Sequence, residues 1–129
     1  MTWTIQIPRE SKSGNALAYG HWRNRMRDRD GWIVQIRMLG RHVPPAQVRR
    51  RVVFTVYRKR RLDSDNVSSG LKHCRDALVR CGLLLDDSDR WCSVEYRQHI
   101  LSEMPADLAR KYGRRPVTVI EIQDVSPAE

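Results

Sequence analysis

Residues 61–87 read RLDSDNVSSGLKHCRDALVRCGLLLDD, and the fold turns on how this stretch is parsed. Val67, Leu71, Cys74, Leu78 and Cys81 recur at steps of four and three, the spacing that places side chains on one face of a helix. Gly82 stands where such a helix ends. Upstream, VVFTVYR (Val52 to Arg58) is rich in β-branched and aromatic residues and reads as an inner strand. Downstream come a short buried run (Leu83 to Leu85), a turn (DDSD) and the strand CSVEYRQHI (Cys92 to Ile100). Outside this unit, WTIQI (Trp3 to Ile7) alternates as a strand does and Pro8 ends it. ESKSGNALAYG is a loop by composition. From His21 to about Leu39 the pattern is helical, with Trp22, Met26, Ile33 and Ile36 roughly along one face and Gly31 weakening the middle. VPP (Val43 to Pro45) is a break, MPADLARKYGRRP a polar excursion with one helical turn, and VTVIEI (Val117 to Ile122) a last strand. The order β-α-β-α-β-β, without repeat or linker, predicts a single α+β domain over residues 1–129, a mixed sheet with about two packed helices.

Charge is unevenly spread along the 129 residues, whose formal balance is +9. From Asp63 to Asp89 six acids (Asp63, Asp65, Asp76, Asp86, Asp87, Asp89) face three bases (Lys72, Arg75, Arg80), a balance of −3, so the remainder carries +12. A small acidic island in a basic body is the outline of a metal-dependent nuclease, the body holding phosphates and the island holding cations. On charge alone, a nucleic-acid binder without chemistry is the favoured reading. A protein-interaction module leaves the basic body unexplained. No apolar run approaches a membrane span, and strand-like residues from Thr2 leave no room for a signal peptide. Cys74, Cys81 and Cys92 are odd in number and show no zinc-ribbon pairing, which suits reduced thiols in a cytoplasmic protein.

The quoted stretch holds five aspartates and no glutamate. In extended backbone Asp63 and Asp65 point the same way. A helix of ~13 residues carries the chain about 20 Å away, and Leu83 to Asp87, if extended, returns it by roughly 16 Å. Asp86 or Asp87 is thereby brought towards Asp63 and Asp65. Converging carboxylates repel unless cations neutralise them, and Mg²⁺ takes such oxygens while keeping water and bridging to phosphate. The short, stiff Asp stem loses less freedom on coordination than Glu. Plainer roles remain open: Asp63, Asp65 and Asn66 suit a helix cap or Asx turn, Asp86, Asp87 and Asp89 a solvated turn, and Lys72 with Asp76 a surface i,i+4 pair. His21, His42, His73 and His99 show no metal-ligand spacing, and His73 reads as a solvated helix position. Trp22 and Trp91 are expected in the core.

Taken together, Asp63-Ser-Asp65-Asn66, Lys72, Asp76-Ala77-Leu78, Gly82 and Asp86-Asp87 resemble the RusA family of Holliday junction resolvases, typical of phages and prophages. Its pattern runs D-x-D-N, a lysine, D-A-L, a glycine and D-D. IPRESKSGN leading into GHWRNRMRDRDGW is a weaker echo of the family's Pro- and Asn-containing loop and basic segment. The specific match covers about 25 residues. The resemblance implies a RusA-like fold and a homodimeric, Mg²⁺- or Mn²⁺-dependent endonuclease that nicks opposed strands of a four-way DNA junction. It implies Asp63, Asp65 and Asp87 as metal-binding catalytic carboxylates, Lys72 as catalytic lysine, Asp86 as a supporting metal ligand and Asn66 as a positioning residue. Arg23, Arg25, Arg27, Arg29, Arg58, Lys59, Arg60, Arg61, Arg114 and Arg115 are the candidates for DNA phosphate contacts. One departure stands out: V-S-S-G-L between Asn66 and Lys72 is about three residues longer than the family pattern. It is absorbed either as an extra helical turn or as a loop before a helix starting at Ser68 or Ser69, and Gly70 favours the loop. A junction- or duplex-binding relative with little cleavage, or a nuclease for other branched substrates, fits the same residues.

Overall fold

The computed structural model describes residues 1–14, 16 and 22–125. The strands are β1 (Thr2–Ile7), β2 (Arg50–Arg58), β3 (Cys92–Ile100) and β4 (Val117–Asp124). The helices are α1 (Trp22–Leu39), α2 (Ser64–Gly70), α3 (Lys72–Arg80) and α4 (Ala106–Tyr112), with a 3-10 turn at Leu101–Glu103. The sheet order is β1-β4-β2-β3. β4 is antiparallel to both neighbours and β2 is parallel to β3, so the sheet is mixed and the fold α+β. The parallel pair requires a crossover connection, and α2 with α3 supplies it.

Strand periodicity sorts the core into two layers. Ile5 and Ile7 of β1, Val52, Phe54 and Val56 of β2, and Ile120 and Ile122 of β4 are fully buried beneath α1, α2 and α3. On the opposite face Tyr57 and Val117 pack with Met104 and with Leu108 of α4. The polar excursion is therefore more helical than its composition suggests: Leu108 gives α4 a buried anchor and Gly113, at φ 70, turns the chain out of it.

Arg50 is 1% exposed. It donates to Asp124 (2.8 Å), to the Leu83 carbonyl (2.9 Å) and to the Pro45 carbonyl (3.5 Å), and lies over the Trp3 ring. One guanidinium thus satisfies two loops and the end of β4. α3 ends as the sequence predicts. Gly82 adopts φ 77, and the Gly82 and Leu83 amides donate to the Val79 and Leu78 carbonyls.

Two expectations are corrected. The apolar stripe of α1 does not run through Trp22 and Met26, which are exposed; the buried residues are Asp28, Trp32 and Ile36. These three recur at steps of four, and a charged member disguised the stripe. The long segment before Lys72 is not the loop that Gly70 favoured but about two helical turns, α2, joined to α3 through Leu71. The Leu71 amide still donates to Val67 and Ser68, so the two pieces behave as one rod with a local break. Gly70 sits inside this rod because the Ser11–Gly14 backbone packs on it: a Cβ there would overlap the Lys12 carbonyl. The expected start of α1 at His21, and residues 15 and 17–20 of the loop expected over residues 10–20, lie outside the described residues.

Gly70→Ala therefore has the opposite sign to the usual helix substitution. In an unconstrained helix it stabilises by about 1 kcal/mol; here overpacking is expected to destabilise by about 1–3 kcal/mol in urea unfolding. Cys74 and Cys92 are buried, and burial pushes both thiols above their ordinary range. Less thiolate is present at pH 8 than in a free cysteine, so alkylation of the native protein, followed by mass, should be slow at both and become complete on unfolding.

Candidate functional site

The crossover positions the candidate residues. Leu62 is clamped by the Gln98 side chain of β3, which accepts from its amide (3.0 Å) and donates to its carbonyl (2.6 Å). Asp63 follows at the N-cap of α2 with extended backbone, yet its carboxylate makes no capping bond. The Asn66 and Val67 amides bond the Asp63 carbonyl instead. Asp65 lies in the first turn of α2, so it does not share extended backbone with Asp63 as the alternation argument expects. Its carbonyl accepts from the Ser68 and Ser69 hydroxyls, leaving its carboxylate outward.

A cleft of about 600 Å³ opens between α1 and α3. Trp22, Arg25, Met26 and Arg29 line it from α1, Lys72, His73 and Asp76 from α3, and Asp87 from the loop beyond. The return of the chain after Gly82 brings Asp87 to the cleft that Lys72 also lines, whereas the distance argument expects it beside Asp63 and Asp65. Asp63 and Asp65 do not line this cleft. Among the described residues no three His, Cys, Asp or Glu side chains are grouped to hold a metal ion. α2 is the physical reason: at 1.5 Å per residue it sets Asp65 about 10 Å along the rod from Lys72.

The pairing of acids is uneven. Glu10, Asp28, Asp30, Asp76, Glu95, Glu103 and Asp124 each form an ion pair. Asp63, Asp65, Asp86, Asp87 and Asp89 form none among the described residues; the Asp86 carboxylate accepts only from the Asp87 amide, at 2.9 Å. Lys72 likewise has no ion pair among the described residues. Asp76 turns to Arg80 at 3.0 Å rather than to Lys72, an exposed pair worth about 0.5 kcal/mol.

Free carboxylates are the donors Mg²⁺ takes, and this ion usually needs only one or two of them beside substrate phosphate and water. The residues fit an ion shared with phosphate rather than a closed cage.

His73 differs from its expected solvated position. The Asp28 carboxylate, 1% exposed, is held by Arg9 at 2.8 Å and by His73 Nδ1 at 3.1 Å. Arg9 also donates to the Asp28 carbonyl and to Gln35, and its guanidinium lies 4.4 Å from the Trp32 ring centre. Gly31 gives it room, since a Cβ there would meet the guanidinium. This network joins the segment after β1, helix α1 and helix α3. The sequence carried a signal for it: Asp28 falls on the stripe of Trp32 and Ile36.

Of the basic candidates, Lys59, Arg60 and Arg115 are exposed and make no ion pair among the described residues. Arg23 and Arg27 are exposed on α1, while Arg25 and Arg29 reach the cleft. Arg61 pairs with Glu103 at 3.0 Å, and Arg114 donates to the Leu101 carbonyl. Arg58 is spent internally, on the Ser11 carbonyl and hydroxyl and on Glu10, with 11% of its side chain exposed. It holds the segment after β1 and is not placed to contact DNA. Trp22 is 53% exposed at the cleft mouth, contrary to the core expectation, and Trp91 is half-buried under Arg90.

No family model matches the chain, and no curated protein matches its sequence. No helix among the described residues is long and apolar enough to cross a membrane.

Removing Arg9 leaves a buried carboxylate partly uncompensated, and breaking such pairs costs about 3–5 kcal/mol. Arg9→Met should lower stability by about 3 kcal/mol in urea titration, a loss that Lys59→Met, at an exposed site, should not show.

Proposed function

We propose that the chain is a Mg²⁺-dependent, structure-specific DNA endonuclease that resolves four-way junctions by paired nicks on opposed strands. The carrying observation is that Asp63, Asp65, Asp86, Asp87 and Asp89, close together in sequence, form no ion pair among the described residues, whereas the other described acids, Asp107 and Glu121 apart, each pair with an arginine. In a body of +12, five carboxylates with no ion pair among the described residues are a standing attraction for cations. The resemblance of these positions to RusA-type resolvases supports the same reading.

Mg²⁺, or Mn²⁺ in its place, would be held by Asp87 with Asp86 and by Asp63 with Asp65. Once bound, it supplies positive charge beside the scissile phosphate. The chain's own residues do the rest. Lys72 presents a fixed, unshared positive charge to the phosphate, and Arg25 and Arg29 flank it across the cleft. Asn66 holds the start of α2 beside Asp65. Lys59, Arg60, Arg61, Arg114 and Arg115, with Arg23 and Arg27, grip backbone phosphates of the arms. A homodimer would match the two-fold symmetry of a junction and set two sites on opposed strands. α1 carries Val34 and Met38 exposed, at 56% and 59%, as apolar surface for such a contact. The setting is cytoplasmic, where phage or bacterial DNA recombines.

A second reading has its own observation. α2 holds Asp63 and Asp65 apart from Asp87, and a protein fixed in that state binds junctions and cuts poorly.

The test is nicking of a synthetic four-way junction in Mg²⁺ beside linear duplex. Wild type is expected to cut the junction symmetrically, and Asp65→Asn and Asp87→Asn to reduce the rate at least a hundredfold while binding persists. Binding should weaken steeply with salt. Tight binding without cuts in any protein selects the second reading, and equal cutting of duplex removes the junction preference.

A further inference from the structure

We propose that His73 is the proton acceptor of the cleavage reaction and Asp28 the residue that positions it, an inference resting on the nuclease reading above. The geometry fixes which nitrogen does the work. Asp28 is buried and its carboxylate accepts from Arg9 at 2.8 Å, so it meets His73 as an acceptor. His73 Nδ1, 3.1 Å from it, must therefore carry the proton. In the neutral ring the lone pair is left on Nε2, which has no partner among the described residues while the side chain lines the cleft beside Lys72. Arg9 matters as a fixed counter-charge. It shares the Asp28 carboxylate with the ring, one oxygen to each.

The titratable groups lining the same cleft are Arg25 and Arg29 from α1, Lys72 and Asp76 from its own helix and Asp87 from the following loop, with Asp28 against Nδ1 and Arg9 beyond it. A phosphodiester drawn to Lys72, Arg25 and Arg29 lies against this nitrogen. In the step, a water oxygen forms the new bond to phosphorus and its proton passes to Nε2. The bond from phosphorus to O3′ breaks with its electron pair on oxygen, which takes a proton from solvent. His73 then returns its proton to solvent. A buried carboxylate behind an imidazole is the usual means of holding such a base in one tautomer.

A purely structural role, pinning α3 to α1, predicts different results. His73→Gln keeps a donor for Asp28 but cannot accept a proton at neutral pH. Its junction binding in Ca²⁺ should stay within about twofold of wild type, while nicking falls at least about a hundredfold. The pH profile of nicking should differ between wild type and the variant. Asp28→Asn should lower kcat with KM little changed. Independently of activity and of any substitution, ¹⁵N spectra of wild type at pH 8 should show His73 protonated on Nδ1. The Nε2–H tautomer overturns the proposal, and so does His73→Gln cutting within threefold of wild type with the same pH profile; either leaves the nuclease reading intact. Failure of wild type to cut any branched DNA sinks both, which separates the two failures.

Discussion

The buried carboxylate of Asp28 is the constraint on which the arrangement of helices rests. A charge so enclosed is tolerated only where its partners are held firmly, and here they come from two other parts of the chain. Arg9, arriving from the end of β1, stacks over Trp32 and reaches Asp28 through the space left at Gly31. His73 arrives from α3. The mutual angle of α1 and α3, and hence the width of the cleft between them, is set by these contacts as much as by the apolar packing below. Arg50 and Arg58 do comparable service elsewhere, one tying loops to β4 and the other tying the segment after β1 to β2. Part of the large arginine content is therefore architecture, and the charge left for a polyanion is smaller than a count suggests.

Against that background the aspartates after β2 are distinct. Arginine outnumbers the acids, and it pairs with seven of the fourteen described ones. Leaving Asp63, Asp65 and the Asp86–Asp89 turn without counter-ions sacrifices stability that neighbouring bases could supply. Such a departure from local consistency is what functional sites show. The extra turn of α2 divides the group in two, one half by the end of β2 and the other beside Lys72.

Much of this was legible in the sequence. The four strands stood where alternation and β-branched content placed them, and the steps of four and three from Val67 to Leu78 gave the buried face of the crossover helix. Position along the chain was easier to read than environment. Asp28 and Arg50 are charged residues inside the core, and patterns that score polarity as exposure misplace both. His73 went unrecognised for the same reason, because its partner is 45 residues away. Gly70 misled in the other direction: its poor helix propensity is real, but the close approach of Lys12 decides the matter, and that contact is not local. Chain lengths alone pointed Asp87 towards Asp63 and Asp65; the structure sets it at the cleft of Lys72 instead. The separation of Asp63 and Asp65 from it depends on whether a few residues coil or loop.

The topology bears on how the molecule is made. Among the described residues β4 is the last strand in sequence yet lies between β1 and β2, so β1 finds its sheet partner there more than a hundred residues later, Thr2 standing opposite Gln123. Until β4 is synthesised, β1 has no neighbour and β2 offers one bare edge. During translation the parallel β2–β3 unit with its helices can form early, but the sheet closes only in a late, long-range step. Closure of that kind is slow and leaves apolar strand edges exposed while it waits. For a nascent chain the interval before β4 emerges is thus the period of greatest exposure to aggregation and to chaperones.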